Sequence, residues 1–405
     1  MNRVLFVDDE SALLDNLRRR LYRAKSKWQM SFVPNGARAI EELTASHYDV
    51  IVTDMRMASM DGAEVLEQAS QISPETIRIV LSGFSEDRQV LRLVPLAHQY
   101  VAKPCAAERL EELIDRSLNL KELLGQPRLR SAIAGVRQLP VIPRIYAQLR
   151  KLMAREDAGI DEVAEVIASD SAVTARILQV VNSAFFRQAR PISRIDQAVG
   201  HLGFSVIRNL ALSAEVFIAW PQVRAPAPWF EPENLQRHSR SIAYGAQALA
   251  GTAPWAQDAL LAGLLHDIGY WVLLQQCPGE LARAASLAGE RKIALIEAEQ
   301  LVFDATHAEV GAYLLGVWGL PLPVVEAVAF HHNPLGVRHG EFGPLAAVAI
   351  AETLLSTSET QRDGQEVPTS APDNGSLIAL GAPFEWAEAQ RRLRDLATDE
   401  VPLYV

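Results

Sequence analysis

The chain has little cysteine and no long apolar run, and each shortage excludes a class of protein. Its 405 residues include two cysteines, Cys105 and Cys277, which lie far apart and predict neither a disulfide framework nor a cysteine metal site. The best apolar stretch, residues 260–274, contains His266 and Asp267 and is shorter than the roughly 20 residues that a membrane span needs. Residues 8–10 are all acidic, which excludes a signal peptide. We therefore expect a cytoplasmic protein without membrane contact.

Basic residues are fewer than acidic residues. The sequence carries 39 Lys and Arg against 49 Asp and Glu, which gives a net charge of −10. Such a surface repels phosphate backbones, and no segment holds a dense basic patch or a helix-turn-helix pattern. We therefore expect no direct contact with nucleic acid. The 49% of hydrophobic residues excludes a disordered chain, and the length predicts two or three domains.

Five short apolar runs alternate with segments of helical periodicity in the first 120 residues. We predict that these runs are strands, at residues 4–7, 30–33, 50–53, 78–81 and 100–102. Strands that alternate with helices favour a parallel sheet covered on both faces, so the sequence predicts a doubly wound, five-stranded α/β domain. The chemistry of such sheets lies at the carboxyl ends of the strands.

The strand signal ends after residue 105, and the rest of the chain has helical spacing. A leucine-rich helix at residues 110–124 connects the two parts and is a candidate for pairing in a homodimer. The predicted domains are the α/β domain at 1–122, a helical linker at 123–137, an all-α bundle at 138–355 with halves at 138–220 and 234–355, and a flexible segment with a short helix at 356–405.

Acidic side chains follow two neighbouring strands of the predicted sheet. Asp8 and Asp9 follow the first strand and Asp54 follows the third, so their carboxylates should lie within a few ångströms and share Mg²⁺. Ser82, at the end of the fourth strand, offers a hydroxyl to a phosphoryl oxygen, and Lys103, after the fifth, offers an ammonium. The alternative is a redox or nucleotide-binding domain with incidental acids, but no glycine-rich phosphate loop follows the first strand.

The segments VLFVDDE, IVTDMRM, VLSGF and YVAKP resemble the flavodoxin-like receiver domain of two-component response regulators. The resemblance implies that Asp54 accepts a phosphoryl group from a sensor histidine kinase. It also implies the rest of the site, namely Mg²⁺ ligation by Asp8, Asp9, Asp54 and the backbone carbonyl of Arg56, and phosphoryl sensing by Ser82, Lys103 and Tyr100. Ala58 stands where family members commonly have proline, from which we predict a looser loop after Asp54 with the same chemistry.

Histidines and acids recur in a recognisable order in the second part of the chain. They are His238, the pair His266-Asp267, His307 and the pair His331-His332. The pair His266-Asp267 lies within an apolar segment that predicts a buried helix, where a charged carboxylate needs a partner and a metal ion is the simplest one. The mixed nitrogen and oxygen donors suit one or two ions of Fe, Mn, Zn or Ni. The alternative is a metal-free polar pocket satisfied by water.

A second resemblance covers residues 135–355. The segments LPVIPRIYAQL, IASDSAVTARILQVVNSAFF and ISRIDQAVGHLGFSVIRNLAL, followed by AGLLHDIGYWVLL, THAEVGAYLLGVWGLP and AFHHNP, are similar to HDOD domains, whose fold has an HD-like helical core. Members of that family are mostly signalling outputs without an established enzymatic activity. The related HD-GYP phosphodiesterases place metal ligands at the same histidines, with Glu352 here in place of their closing aspartate. Tyr270 and Asn333 replace a lysine and a glutamate of that family, and the GYP segment is missing.

These features favour a response regulator in which phosphorylation of Asp54 switches an HDOD output. The output would then act through a downstream signalling protein or a nucleotide ligand. The alternative is a metal-dependent phosphohydrolase that acts on a phosphodiester such as a cyclic dinucleotide.

Overall fold

The computed structural model describes about three-quarters of the protein in defined segments. These are residues 1–82, 96–103, 105–120, 159–182, 192–201, 230–337, 342–363 and 374–394, with short pieces at 129–130, 133, 136, 139–141, 148, 151–152, 155, 207 and 217–219. Most of the predicted linker at 123–137 therefore lies outside the described residues.

A parallel five-stranded sheet forms the first domain, in the order β2-β1-β3-β4-β5. Its strands are β1 Asn2–Val7, β2 Trp28–Val33, β3 Val50–Asp54, β4 Ile77–Ser82 and β5 Gln99–Ala102. Side chains alternate between two apolar layers, with Val4 and Phe6 in one and Leu5 and Val7 in the other. Both faces are therefore buried, and the prediction of a parallel α/β domain is confirmed.

Four described helices belong to this domain: α1 Ser11–Arg20, α2 Gly36–Ala45, α3 Gly62–Ile72 and α4 Ala107–Leu120. Local signals explain where two of them begin. Asn35 accepts a hydrogen bond from the backbone N–H of Arg38 at the start of α2, and Asp61 forms a capping box with Glu64 at the start of α3.

The rest of the chain is mostly helical, as predicted. The first half holds α5 Ile160–Ala168 and α6 Ser171–Asn182. The second half holds α7 Pro232–Ala250, α8 Ala256–Leu265, α9 Ile268–Gln276, α10 Pro278–Arg291, α11 Leu295–Phe303, α12 His307–Val317, α13 Leu322–Phe330, α14 Pro344–Asp363, α15 Asn374–Ala379 and α16 Trp386–Arg394. Among the described residues, no helix is long and apolar enough to cross a membrane.

Two features of this region differ from the sequence prediction. Strand β6 Leu139–Val141 pairs in parallel with β7 Phe217–Ala219, so the region is not all-α. Strands of three residues are too short to show an alternating pattern, which is why the sequence did not reveal them. Helix α14 runs to Asp363, into the segment predicted to be flexible. The polar residues at 356–363 include neither glycine nor proline, so nothing in that stretch breaks the helix.

Glycines set the closest helix contact of the second half. Gly269 of α9 lies against the backbone of α12, and a β-carbon at this position would overlap the carbonyl oxygen of His307. Gly311 of α12 lies against the same turn, and its β-carbon would meet the Gly269 nitrogen at 3.2 Å. The absence of a side chain at Gly311 thus lets α9 approach α12 on this face. The contact brings α9 next to the first residue of α12, His307.

Replacing Gly269 by alanine is expected to destabilise the second half by about 1–3 kcal/mol, because either helix must shift to relieve the overlap. Chemical denaturation followed by circular dichroism measures the loss. Gly279→Ala is the matched control, since no atom lies within 4 Å of a β-carbon there. In a helix this second change is expected to be neutral or slightly stabilising. Equal stability of the two variants would contradict the close contact.

Candidate functional site

The carboxyl ends of the strands gather three charged side chains of the first domain. Asp8 follows β1, Asp54 ends β3 and Lys103 follows β5. The Lys103 Nζ lies 2.8 Å from Asp8 Oδ2 and 2.5 Å from Asp54 Oδ1. Carboxylate oxygens of Asp8, Asp9 and Asp54 all lie within 4.8 Å of one another. The pocket thus combines a buried carboxylate with oxygen donors of the kind that Mg²⁺ prefers.

Burial and the lysine act in opposite directions on Asp54. Burial raises the pKa of the Asp54 carboxyl, and the hydrogen bond and charge of Lys103 counteract that rise only in part. Burial also disfavours the Lys103 ammonium, but its bonds to Asp54 and Asp8 outweigh this and raise the lysine pKa. Lys103 therefore remains a cation that faces the candidate phosphoacceptor.

The loop after Asp54 is fastened, where the sequence predicted a looser one. The backbone N–H of Ala58 donates to Asp9 Oδ2 at 2.9 Å, a bond that proline cannot make. The N–H of Arg56 donates to Asp54 Oδ2 at 3.1 Å. A β-carbon at Gly62 would overlap the carbonyl oxygen of Asp54, so α3 also packs directly against this strand end. Alanine in place of proline thus supplies a donor that holds Asp9.

The two remaining predicted residues of this pocket are described by their backbones alone. Ser82 ends β4 opposite Ala102, and Tyr100 of β5 pairs with Val80. Their side chains lie outside the described part of the chain, so their roles as phosphoryl sensors stay predictions.

Removing the Lys103 ammonium is expected to leave mutually repelling carboxylates and to lower the free energy of unfolding by about 1–3 kcal/mol. Mg²⁺ is expected to restore more stability to Lys103→Ala than to the wild type, because the ion replaces the missing positive charge. Denaturation with and without Mg²⁺ measures both effects. Lys27→Ala removes a lysine that pairs with Glu111 and Asp115 at the surface, and a much smaller loss is expected there. Identical curves for the Lys103 variant and the wild type would contradict this reading of the pocket.

A second cluster of ionisable groups surrounds Asp267. One side holds His238 of α7, His266 and Glu352 of α14, and the other holds His307, His331 and His332. Between them, Asp267 Oδ2 lies 3.2 Å from His266 Nε2 and 3.7 Å from His238 Nε2. Asp267 Oδ1 lies 3.3 Å from His307 Nε2 and 4.0 Å from His331 Nε2. The structure therefore brings together all seven residues that the sequence singled out here.

The sequence predicted that the pair His266-Asp267 lies inside one helix, and this prediction is wrong. It forms the junction between α8, which ends at Leu265, and α9, which begins at Ile268. Asp267 has φ −99° and ψ 12°, which interrupts the helical backbone. The apolar residues on both sides hid this break from sequence analysis, since periodicity alone cannot locate a two-residue junction.

The outer ring nitrogens of two histidines face backbone carbonyls that fix the orientation of the rings. Nδ1 of His266 lies 2.7 Å from the carbonyl of Gly263, and Nδ1 of His331 lies 2.9 Å from that of Val328. A carbonyl only accepts, so Nδ1 carries a hydrogen, and when the ring is neutral Nε2 presents its lone pair to the cluster. Both Nε2 atoms are buried and make no hydrogen bond with any described group. Such preset nitrogens are typical of metal ligands.

Glu299 is a residue of this site that sequence analysis missed. It is fully buried on α11, and its Oε2 accepts from His307 Nδ1 at 2.7 Å and from the backbone N–H of His307 at 2.8 Å. Burial disfavours a charged His307, but Glu299 and Asp267 outweigh it and raise the pKa of His307 to about 10. The available signal was the position of Glu299 in the segment LIEAEQLVF, where helical spacing predicts an apolar residue. The neighbouring Glu297 does not lie at such a position and is exposed.

Tyr270 covers one face of His307. The two rings stack with centroids 4.0 Å apart and planes 19° apart. Burial, followed by the charges of Glu299 and Asp267, raises the pKa of the tyrosine well above its usual value, so the phenol stays protonated. Burial raises the pKa of Asp267 itself, but His266 and His307 outweigh that effect and hold it well below its usual range. The centre of the cluster is thus a carboxylate among imidazoles.

Family models match both parts of the chain. The response regulator receiver domain matches residues 4–115 and the HDOD domain matches residues 139–334. The chain belongs to the receiver–HDOD response regulators. Glu352 lies beyond the HDOD match, although its Oε2 is 3.2 Å from His238 Nε2.

Several known proteins are similar to this receiver–HDOD chain. An uncharacterized protein of Treponema pallidum (strain Nichols) is 27% identical over 248 residues, which is 60% of this chain and 47% of that protein. The uncharacterized transcriptional regulatory protein YesN of Bacillus subtilis (strain 168) is 29% identical over 199 residues, 43% of this chain and 54% of its own. The chain thus spans about half the length of these curated relatives. The MmoQ response regulator of Methylococcus capsulatus str. Bath matches with a TM-score of 0.49 and 23% identity, over 65% of this chain and 98% of that one.

Proposed function

We propose that this response regulator accepts a phosphoryl group in a phosphorelay. A sensor histidine kinase phosphorylates Asp54, with Mg²⁺ held by Asp8, Asp9, Asp54 and the carbonyl of Arg56. Phosphorylation then changes what the HDOD surface contacts, and the output is a downstream signalling protein or a ligand. The observation that carries the proposal is the contact between β5 and the end of α12.

Side chains of the receiver and of the HDOD domain bond to each other's backbone at this contact. Gln99, the first residue of β5, donates through Nε2 to the carbonyl of Val317 at 2.8 Å. Arg116 of α4 donates to the carbonyl of Leu320. In the other direction, Gln179 of α6 donates to the carbonyl of Ala97 at 3.4 Å. Gln99 and Gln179 are buried, so breaking these bonds leaves unsatisfied polar groups.

A cation–aromatic pair reinforces the same contact. The Arg176 guanidinium lies 4.3 Å from the centre of the Trp318 ring, and both side chains are almost fully buried. Arg176 also donates to Gln179 at 2.7 Å, which orients the amide that reaches the receiver. The contact is therefore specific and desolvated, which favours a coupled pair of domains over two independent ones.

Helix α12 links this contact to the histidine cluster. It begins at His307 and ends at Val317, so its 11 residues span about 16 Å. A movement of β5, where Tyr100 lies next to Gln99, therefore acts on the far end of a rigid element that carries His307. This geometry supports a switch in which the phosphoryl site and the cluster influence each other reciprocally.

The residues of the histidine cluster fit a transition metal. The buried Nε2 atoms of His266 and His331 make no hydrogen bond with a described group, and a mixed set of imidazoles and carboxylates suits Fe, Mn, Zn or Ni. The residues that would hold one or two such ions are His238, His266, Asp267, His307, His331, His332 and Glu352. A bound metal ion would supply Lewis-acid polarisation of an oxygen ligand. The protein's own part is to orient the donors, as Glu299 does for His307.

A metal-dependent phosphohydrolase is the second candidate function. The position of Asp267 between two groups of imidazoles favours it, because such a carboxylate can bridge two ions. Tyr270 weighs against it, since its ring covers His307 where the phosphodiesterases have a lysine. Asn333, in place of a glutamate, lies against Gly336 and offers no acid or base. We therefore prefer the switch.

Asp54→Asn is expected to abolish labelling by a small phosphodonor in the presence of Mg²⁺, because the amide is not a nucleophile. In the wild type, beryllofluoride is expected to change amide hydrogen exchange in α4 and in α12, at opposite sides of the contact between the domains. The Asn variant should show neither effect. Asp15→Asn, an exposed acid of α1, serves as control and should behave as the wild type. Unchanged exchange in α12 after beryllofluoride treatment would refute the coupled switch.

Asp267→Ala is expected to reduce the metal content of the purified protein and to lower its stability, because the facing imidazoles lose their counter-charge. Glu299→Gln is expected to reduce metal affinity by about 10–100-fold, while the exposed Glu297→Gln leaves it unchanged. Elemental analysis and calorimetry measure these effects. Turnover of cyclic dinucleotides is expected to be absent in all four proteins. Hydrolysis by the wild type that Asp267→Ala abolishes would establish the phosphohydrolase instead.

A further inference from the structure

A cleft separates the two halves of the HDOD region. Its walls come from α7, α8, the ends of α5 and α6, and residues 193–196, and it encloses about 890 Å³ of empty space, part of it open to solvent. None of the cluster residues around Asp267 lines it.

The lining of the cleft combines polar and apolar side chains. Arg240, Tyr244 and Gln247 lie on one face of α7, at helical spacings of four and three. Helix α8 contributes the apolar side chains of Leu261 and Leu264 and the amide of Gln257. A ligand in this cleft therefore meets both hydrogen-bond donors and hydrocarbon.

Arg240 supplies the uncompensated charge of the cleft. Arg194, the other lining cation, is neutralised by Asp196 through contacts of 3.0 and 2.5 Å. Arg240 makes no hydrogen bond or ion pair with any residue that the structure describes, and its Nε is buried. A buried guanidinium donor without an acceptor is costly, and an anionic ligand would satisfy it.

We infer that this cleft binds a small organic anion whose charged group pairs with Arg240 and whose apolar body lies on Leu261 and Leu264. The charged group is a carboxylate, sulfonate or phosphate monoester, since each accepts two guanidinium hydrogens. Tyr244 and the amides of Gln247 and Gln257 add neutral donors. This chemistry is shared by nucleoside monophosphates and medium-chain fatty acids.

The position of the cleft connects such a ligand to the output. Arg240 lies two residues after His238 on α7, and α8 leads from the cleft directly to His266. An anion at Arg240 would therefore order the same two helices that carry one side of the histidine cluster. The site goes beyond the proposed phosphorelay function and does not depend on it.

Anilinonaphthalene sulfonate, a fluorescent aromatic anion, tests the site in the 405-residue protein. We expect saturable binding of one dye per chain, about tenfold weaker in Arg240→Met, which keeps the length of the side chain and removes the charge. The matched control is Arg237→Met on the exposed face of the same helix, with unchanged affinity. Gln257→Glu leaves Arg240 in place and adds a competing carboxylate, so it should also weaken binding if Arg240→Met fails to fold. Equal affinity of wild type and the folded Arg240 or Gln257 variant would overturn the inference.

Displacement of the dye separates the two sources of the ligand. Release by adenosine monophosphate, and not by octanoate, assigns the cleft to nucleotides, and the reverse result assigns it to fatty acids. The anion that displaces the dye from the wild type must no longer displace it from the Arg240→Met or Gln257→Glu variant. If neither anion displaces the dye at millimolar concentration, the cleft is not an anion site and the inference fails. Phosphorylation of Asp54 is unaffected by any of these outcomes, so failure here leaves the proposed function intact.

Discussion

The HDOD region is organised around one buried carboxylate. Asp267 is almost fully enclosed, and four imidazoles approach its two oxygens within 4.0 Å. A charge in such a place is stable only if its partners are held in position, and here they come from different helices. The helix junction at His266-Asp267, the close approach of Gly269 to α12 and the bond from Glu299 to His307 all serve that arrangement. The packing of the second half therefore follows from an electrostatic requirement as much as from apolar burial.

The receiver and the HDOD domain share one apolar core. The buried cluster that contains Val4 and Phe6 of β1 continues into the packing around Trp318 without interruption. The bonds from Gln99 and Arg116 to carbonyls at the end of α12 lie along this continuous core. The fold thus connects the Asp54 pocket and the histidine cluster through packed side chains, which is the physical basis of the coupling proposed above.

Much of this site could be predicted, because order along the chain determines position in a parallel sheet. Asp8, Asp54 and Lys103 had to meet once each was assigned to the end of a strand. The cluster around Asp267 was found from residue types and their order, but its details were not. The partnership of Glu299 with His307, the stacking of Tyr270 and the β6–β7 pair depend on contacts between segments without a shared motif. The bond from Ala58 to Asp9 shows the same limit, since a missing proline reveals an N–H but not its acceptor.

The contact between the receiver and the end of α12 has a consequence for how this architecture could be rearranged. Regulators are often described as interchangeable receivers joined to interchangeable outputs, which requires that each part be well formed alone. Here Gly319 and Leu320 belong to the HDOD region, yet Gln99 of the receiver lies against Gly319 and Arg116 of the receiver donates to the carbonyl of Leu320. A chimera with a foreign receiver would leave the carbonyls of Val317 and Leu320 without these donors unless the two side chains came with it. The unit of exchange in this protein is therefore the receiver together with its matching interface, and not the receiver alone.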